Sequence, residues 1–236
     1  MRPGWIKALV LLAAFTGSCA RETTTPPPTP SPMSDPSLMD TSWLSDEPCP
    51  VPCWYGQAPG VSTKDEVLDL ADSLSFFADL EFQEHGQTYA PPGSDEVVPS
   101  ELVLLECVEP PGAVCATVEF VEDVLVQITI YPNYRILFDE AVSQVGAPDF
   151  VALTAVTPEI TDCLVSMIWK SRQLRVSYYE KARDTGRRLC DLVKDGDGRL
   201  PSDLPVQDVL YTLPGYLEEY MDGVLIWTWT GFADSQ

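Results

Sequence analysis

The chain has 236 residues, 45% of them hydrophobic, and carries a formal net charge of −22 from 36 acids against 14 bases. That apolar fraction on this length supports one domain or two small ones. So large a negative charge argues against nucleic-acid binding and against adsorption of the body to anionic lipid.

The first residues read as an export leader. Arg2 and Lys7 precede an apolar run over 8–15 that ends in Thr16, Gly17 and Ser18, the charged, apolar and small-residue layout of a signal peptide. The run is shorter than the roughly 20 residues of a membrane-spanning helix, and it continues into Arg21, Glu22 and a threonine and proline tract. The stretch AAFTGSC, 13–19, resembles a bacterial lipobox. That resemblance implies cleavage before Cys19, acylation of its thiol (palmitate chemistry) and a lipid anchor in the cell envelope, with the body extracytoplasmic. Thr16 stands where the pattern most often has leucine. Ordinary secretion with cleavage near Ser18 or Ala20 is the alternative.

The expected organisation is a signal peptide over 1–18, a lipidated Cys19 with a linker over 19–47, and a globular α+β domain over 48–236. Halves are expected at 48–132 and 133–236. The tract TTTPPPTPSPMSDPS has the composition of a semi-extended tether with no core-forming period.

Beyond the linker, Thr63 with Glu66 forms a capping box ahead of Val67, Leu70, Ala71 and Leu74, which predicts a helix over 64–75. Segments 102–108 and 114–121 are β-rich around the turn EPPGA, so a hairpin centred on Pro111 is expected. It would oppose Cys107 to Cys115 and set Leu102 and Leu104 beside Phe120 and Val118. A third strand over 124–131 should point Val124, Val126, Ile128 and Ile130 to one side. Phe138, Ala141, Val142 and Val145 predict a second helix stopped by Gly146 and Pro148. Strands over 150–156, 163–170 and 173–179 follow, with Ser171 and Arg172 as a tight connection. Last come a short helix over 213–221 and a closing strand over 224–230, with the C-terminus packed in. Helix then strands occurs twice, which predicts short helices on an antiparallel sheet in two tandem helix-plus-meander units.

The segments PGVSTKDEVLDL and ILFDEAVSQVGAPDFV resemble helix motifs of small envelope lipoprotein domains of the BamE (SmpA/OmlA) and β-lactamase-inhibitor-like type. The resemblance implies α+β architecture and an envelope address, and no catalytic residue. The six cysteines and the long C-terminal region depart from that pattern.

Of the seven cysteines, Cys49, Cys53, Cys107, Cys115, Cys163 and Cys190 remain once Cys19 is set aside, an even number that predicts up to three disulfides in an exported chain. His85, the single histidine, lies in a polar stretch and reads as a solvated loop residue. A zinc site would therefore be nearly all thiolate, and no metal or cofactor is expected. Asp195-Gly196-Asp197-Gly198 lacks the later ligands of a calcium loop and reads as a turn. Segment 170–199 holds nine of the fourteen bases and is net +4 against −26 elsewhere. Arg183, Arg187 and Arg188 with Trp169 and Tyr178 are the candidate binding patch, for an envelope protein or an anionic polymer. The competing expectation is neutralisation of these cations by the acidic bulk. Trp54, Tyr55, Trp169, Tyr178, Tyr179, Trp227 and Trp229 could alternatively serve as a platform for a soluble glycan or peptide. No nucleophile elbow accompanies His85, so an extracellular hydrolase is the least supported class. The expected function is non-enzymatic binding or scaffolding by a membrane-anchored lipoprotein.

Overall fold

The computed structural model describes residues 36–45, 49–78, 85–155, 162–180 and 189–233. The leader, Cys19 and the segment with Arg183, Arg187 and Arg188 lie outside the described residues. Met33–Gln236 is one compact unit. Its helices are α1 (Ser42–Ser45), α2 (Lys64–Ser73), α3 (Phe138–Val145), α4 (Leu189–Asp195) and α5 (Tyr216–Asp222). Its strands are β1 (His85–Tyr89), β2 (Val98–Glu106), β3 (Val114–Val121), β4 (Val124–Ile130), β5 (Phe150–Ala155), β6 (Cys163–Trp169), β7 (Leu174–Glu180), β8 (Asp208–Thr212) and β9 (Leu225–Thr228). The fold is mixed α+β, and one antiparallel sheet dominates it.

The strand order is β1-β2-β3-β4-β8-β7-β6-β5-β9. Two antiparallel meanders, β1 to β4 and β5 to β8, thus meet through their last strands, and β9 adds to the outer edge of β5. Each meander begins near a helix whose first turn is closed by a glutamate. Glu66 Oε2 accepts from the Thr63 amide at 2.9 Å at the start of α2, and Glu140 Oε2 accepts from the Leu137 amide at 2.8 Å at the start of α3. Gly146 ends α3.

Because side chains alternate along a strand, cross-strand partners share a face. One face carries Val103, Val118, Ile128, Tyr211, Leu174 and Trp169 in one row and Leu105, Ala116, Ile130, Val209, Val176, Met167 and Val151 in the next. All belong to the main core, where they pack with Trp43 of α1, Val67 and Ala71 of α2, Phe138, Ala141 and Val145 of α3, and Leu189 and Val193 of α4. The fifth helix lies on the other face.

Three disulfides join Cys49 to Cys53, Cys107 to Cys115 and Cys163 to Cys190, with Cα separations of 5.7, 5.1 and 5.6 Å. All six cysteines among the described residues are therefore paired. The hairpin disulfide forms as expected, but the register does not. Leu105 pairs with Ala116 while Glu106 pairs with Val114, so Cys115 is an inserted bulge residue. The extra residue moves Leu102 opposite Glu119 and Leu104 opposite Thr117, and gives the core face to Val103 and Leu105. A second irregularity leaves Val126 without a direct partner between Phe120–Leu125 and Glu119–Gln127. Leu125 consequently enters the core, whereas Val124 is exposed.

Other expectations shift too. The folded body reaches back past Pro48: Trp43 is 1% exposed, within the stretch expected to be linker. A buried carboxylate holds that stretch in place. Asp40 accepts from the Ser42 amide and hydroxyl at 3.0 and 2.7 Å, from Trp54 Nε1 at 2.9 Å and from the Tyr55 hydroxyl at 3.3 Å. The backbone of His85 is in edge strand β1, paired with Leu102, rather than in a loop. The Asp195 to Gly198 stretch is a turn that closes α4, with the Gly198 amide donating to the Val193 carbonyl at 2.8 Å. Gly198 has φ +80°, and a Cβ there would lie 2.3 Å from the Trp227 ring, so both backbone and space require glycine.

Candidate functional site

Of the residues expected to form a binding patch, Trp169 and Tyr178 are among the described residues. Trp169 is 3% exposed in the helix-covered core and its Nε1 donates to the Gly146 carbonyl at 2.9 Å. Tyr178 packs half-buried against the same core, and the three arginines lie outside the described residues. Trp54 is completely buried, so it is also lost to an exposed aromatic platform. Trp227, Trp229 and Phe232 pack partly buried on the core, and this keeps the C-terminal stretch folded. Cations of the basic segment meet acids of the body: Arg175 Nη2 lies 3.4 Å from Asp208 Oδ1, and Lys170 Nζ lies 3.3 Å from Glu218 Oε1.

The structure gathers polar chemistry on the sheet face opposite the core. Two rows define it. Glu119, Gln127 and Thr212 are cross-strand neighbours, and the Thr212 amide donates to the Gln173 carbonyl, which places Gln173 at the end of that row. The next row runs Thr117, Thr129, Leu210, Arg175 and Ile168. Strand rows of this kind are separated by about 5 Å across strands and about 7 Å along them, so Thr212, Gln173 and Arg175 are immediate neighbours.

Helix α5 sits over this face. Pro214 and Gly215 end the preceding strand, and Gly215 adopts φ +94°, where a Cβ would also press within 3.2 Å of Pro92. The helix buries Leu217 in a small satellite cluster with Ala152 and Ile168, flanked by Phe150, Tyr216, Tyr220, Met221 and Val224. Its remaining ties are polar. The Tyr220 hydroxyl is 3.0 Å from Thr154 Oγ1, its ring lies 5.0 Å beneath the Arg175 guanidinium, and Glu219 Oε2 accepts from the Gly93 amide at 3.0 Å.

Electrostatics mark the same cluster. Burial, then the neighbouring Tyr216, Glu119 and Glu219, pushes the Tyr89 phenol up to about 12. Burial also raises Tyr216, while Arg175 pulls it the other way and Glu119, Tyr220 and Glu219 push it up. Several buried polar atoms at this face have no hydrogen-bond partner: Tyr89 Oη, Gln173 Oε1, Arg175 Nε, Thr212 Oγ1 and Glu218 Oε2. Sequence reasoning missed this site. Its usable signal was Arg175 between Leu174 and Val176, because a charge between two strand aliphatics must point to the opposite face. Among the described residues no group of three or more metal-ligating side chains occurs, and no helix is long and apolar enough to cross a membrane. Neither a protein-family model, nor a curated protein, nor a solved structure matches this chain.

Proposed function

We propose that this protein is an exported lipoprotein, acylated at Cys19, whose disulfide-stapled body of two tandem helix-plus-meander units serves as a binding or scaffolding module at the cell envelope. The observation that carries this reading is the cysteine pairing. Six of the seven cysteines are joined within the body, so Cys19 alone is left without an intramolecular cysteine partner. Three disulfides suit an oxidising compartment, and the leader supplies the route there. A lipid anchor also accounts for how a chain of net charge −22 stays at a membrane whose anionic lipids repel it. The basic segment with Arg183, Arg187 and Arg188 is the part of the chain suited to an anionic polymer or an acidic envelope protein.

Metabolic labelling with a fatty-acid analogue tests the anchor. Label should enter the full chain and disappear in Cys19→Ala, with the variant released from membranes. Equal membrane retention of the two proteins would sink the proposal. A second reading, a module for a soluble glycan or peptide, is favoured by the tyrosine cluster around α5.

A further inference from the structure

We infer that the sheet face beneath α5 is a binding site for a neutral polyhydroxylated ligand, a glycan, held by Tyr89, Gln173, Arg175 and Thr212 with Tyr216 and Tyr220 beside them. This rests on the reading of the body as a binding module, and on none of the evidence for the anchor. Burying a polar atom without a partner is costly, and each such atom in a folded protein calls for an explanation. Here five of them share one face, and two of the side chains are almost wholly enclosed: Tyr89 is 5% exposed and Thr212 is 0% exposed.

The identity of these atoms selects the ligand. Arg175 Nε can only donate, Gln173 Oε1 and Glu218 Oε2 accept, and the Tyr89 and Thr212 hydroxyls do either. A phosphate or sulfate offers acceptors alone and an ammonium offers donors alone, so each would leave part of the set unsatisfied. Sugar hydroxyls do both. The nearby charges point the same way: Asp208 pairs with Arg175, and Glu119 and Glu219 act on Tyr216 beside it, so no net positive field draws in a polyanion. Tyrosine rings add flat apolar surface of the kind a pyranose ring stacks on. A peptide would normally bind a sheet by joining an edge through its main chain. Arg175 and Thr212 lie instead on β7 and β8, inside the sheet, where only side chains are available, and Tyr89 adds its side chain to the same face from β1.

The covering element is built to move. α5 holds the sheet through one fully buried apolar residue, Leu217, and through polar contacts, with Gly215 and Gly223 at its two ends. Elements with few buried apolar contacts open at lower free energy than the core.

The test uses the full chain in detergent, titrated with cellohexaose, maltohexaose and chitohexaose by calorimetry, beside Tyr89→Phe and Thr212→Val. At least one oligosaccharide should bind, and each variant should weaken it by about tenfold or more. In the free protein Thr212→Val should raise the melting temperature, because it deletes an unpaired buried hydroxyl; a merely structural hydroxyl would do the reverse. Affinity should stay nearly constant between about 50 and about 500 mM sodium chloride, as a neutral ligand requires. No binding by any of the three sugars overturns the inference, as do unchanged affinities in both variants or binding of a neutral Gly-Ser peptide in their place. Fatty-acid labelling that succeeds while glycan binding fails leaves the anchored module standing and removes only this site.

Discussion

The two faces of the sheet are built from the same strands, one residue out of phase, yet they are held by different physics. The face under α1 to α4 is a continuous apolar layer in which Val103, Ile128, Val176 and Met167 meet the buried sides of four helices. The face under α5 has three buried apolar residues in its cluster and a surrounding layer of tyrosines, carboxylates and one arginine. Apolar burial contributes about 25 cal/mol per Å² without requiring orientation, so the first face supplies stability. Polar contacts contribute little net free energy unless every partner is satisfied, so the second face contributes less to stability. The difference explains how one sheet can be both a rigid scaffold and a candidate recognition surface.

Three experiments press on that contrast. Phe138→Ala, which empties a fully buried position where α3 meets the core, should lower the unfolding free energy by about 3–5 kcal/mol in a denaturant titration. A loss below about 1 kcal/mol would mean that the helix-covered face is not the main source of stability. Leu217→Ala should cost less, about 2 kcal/mol, because the satellite cluster can relax around it. Its distinctive effect should be local: hydrogen exchange of the α5 amides should speed up while those of α2 and α3 stay protected. Uniform acceleration across all helices would show that the two faces unfold as one.

The third effect appears only in alkali. Burial and the adjacent Asp40 carboxylate push the Tyr55 phenol up to about 12, Tyr89 reaches about 12 as well, and burial raises Tyr134 further still. A phenol with a folded-state pKa above its unfolded value of about 10 favours the native state fully below pH 10. That contribution is lost as pH rises through the folded value. Unfolding free energy should therefore be insensitive to these groups up to about pH 10. It should then fall toward pH 12 by at most about 1.4 kcal/mol per pH unit for each tyrosine. Tyr55→Phe and Tyr89→Phe should each reduce that slope, one on either side of the sheet. A stability profile that stays level between pH 10 and 12 would show that these phenols are not buried as described.

Much of the local structure was legible. The capping box at Thr63 and Glu66, the stop at Gly146, the strands from Phe150 to Glu180 and the Cys107–Cys115 hairpin all carry signals confined to a few neighbouring residues. Less legible were β1, whose HGQTY has no apolar alternation, and β8, a five-residue strand whose partners β4 and β7 are remote in the chain. Two faces were misread for one kind of reason: an added residue in a strand reverses the side chains beyond it, and nothing in VCATVEF or VLVQITI announces that Cys115 and Val126 are those residues. The candidate site was missed because its members come from β1, β7, β8 and α5, which are remote in the chain.

By itself the sequence determined the even set of body cysteines, the acidic character and the positions of the capped helices, since composition, periodicity and turn chemistry act over short distances. Tertiary structure alone decided which cysteines pair across segments, that Trp43 and Trp169 are core rather than linker and surface, and that the two meanders fuse through β4 and β8. It alone also brought Tyr89, Arg175, Thr212 and α5 to one face. Those outcomes depend on register and long-range burial, and a one-residue shift that the local pattern barely resists is enough to change them.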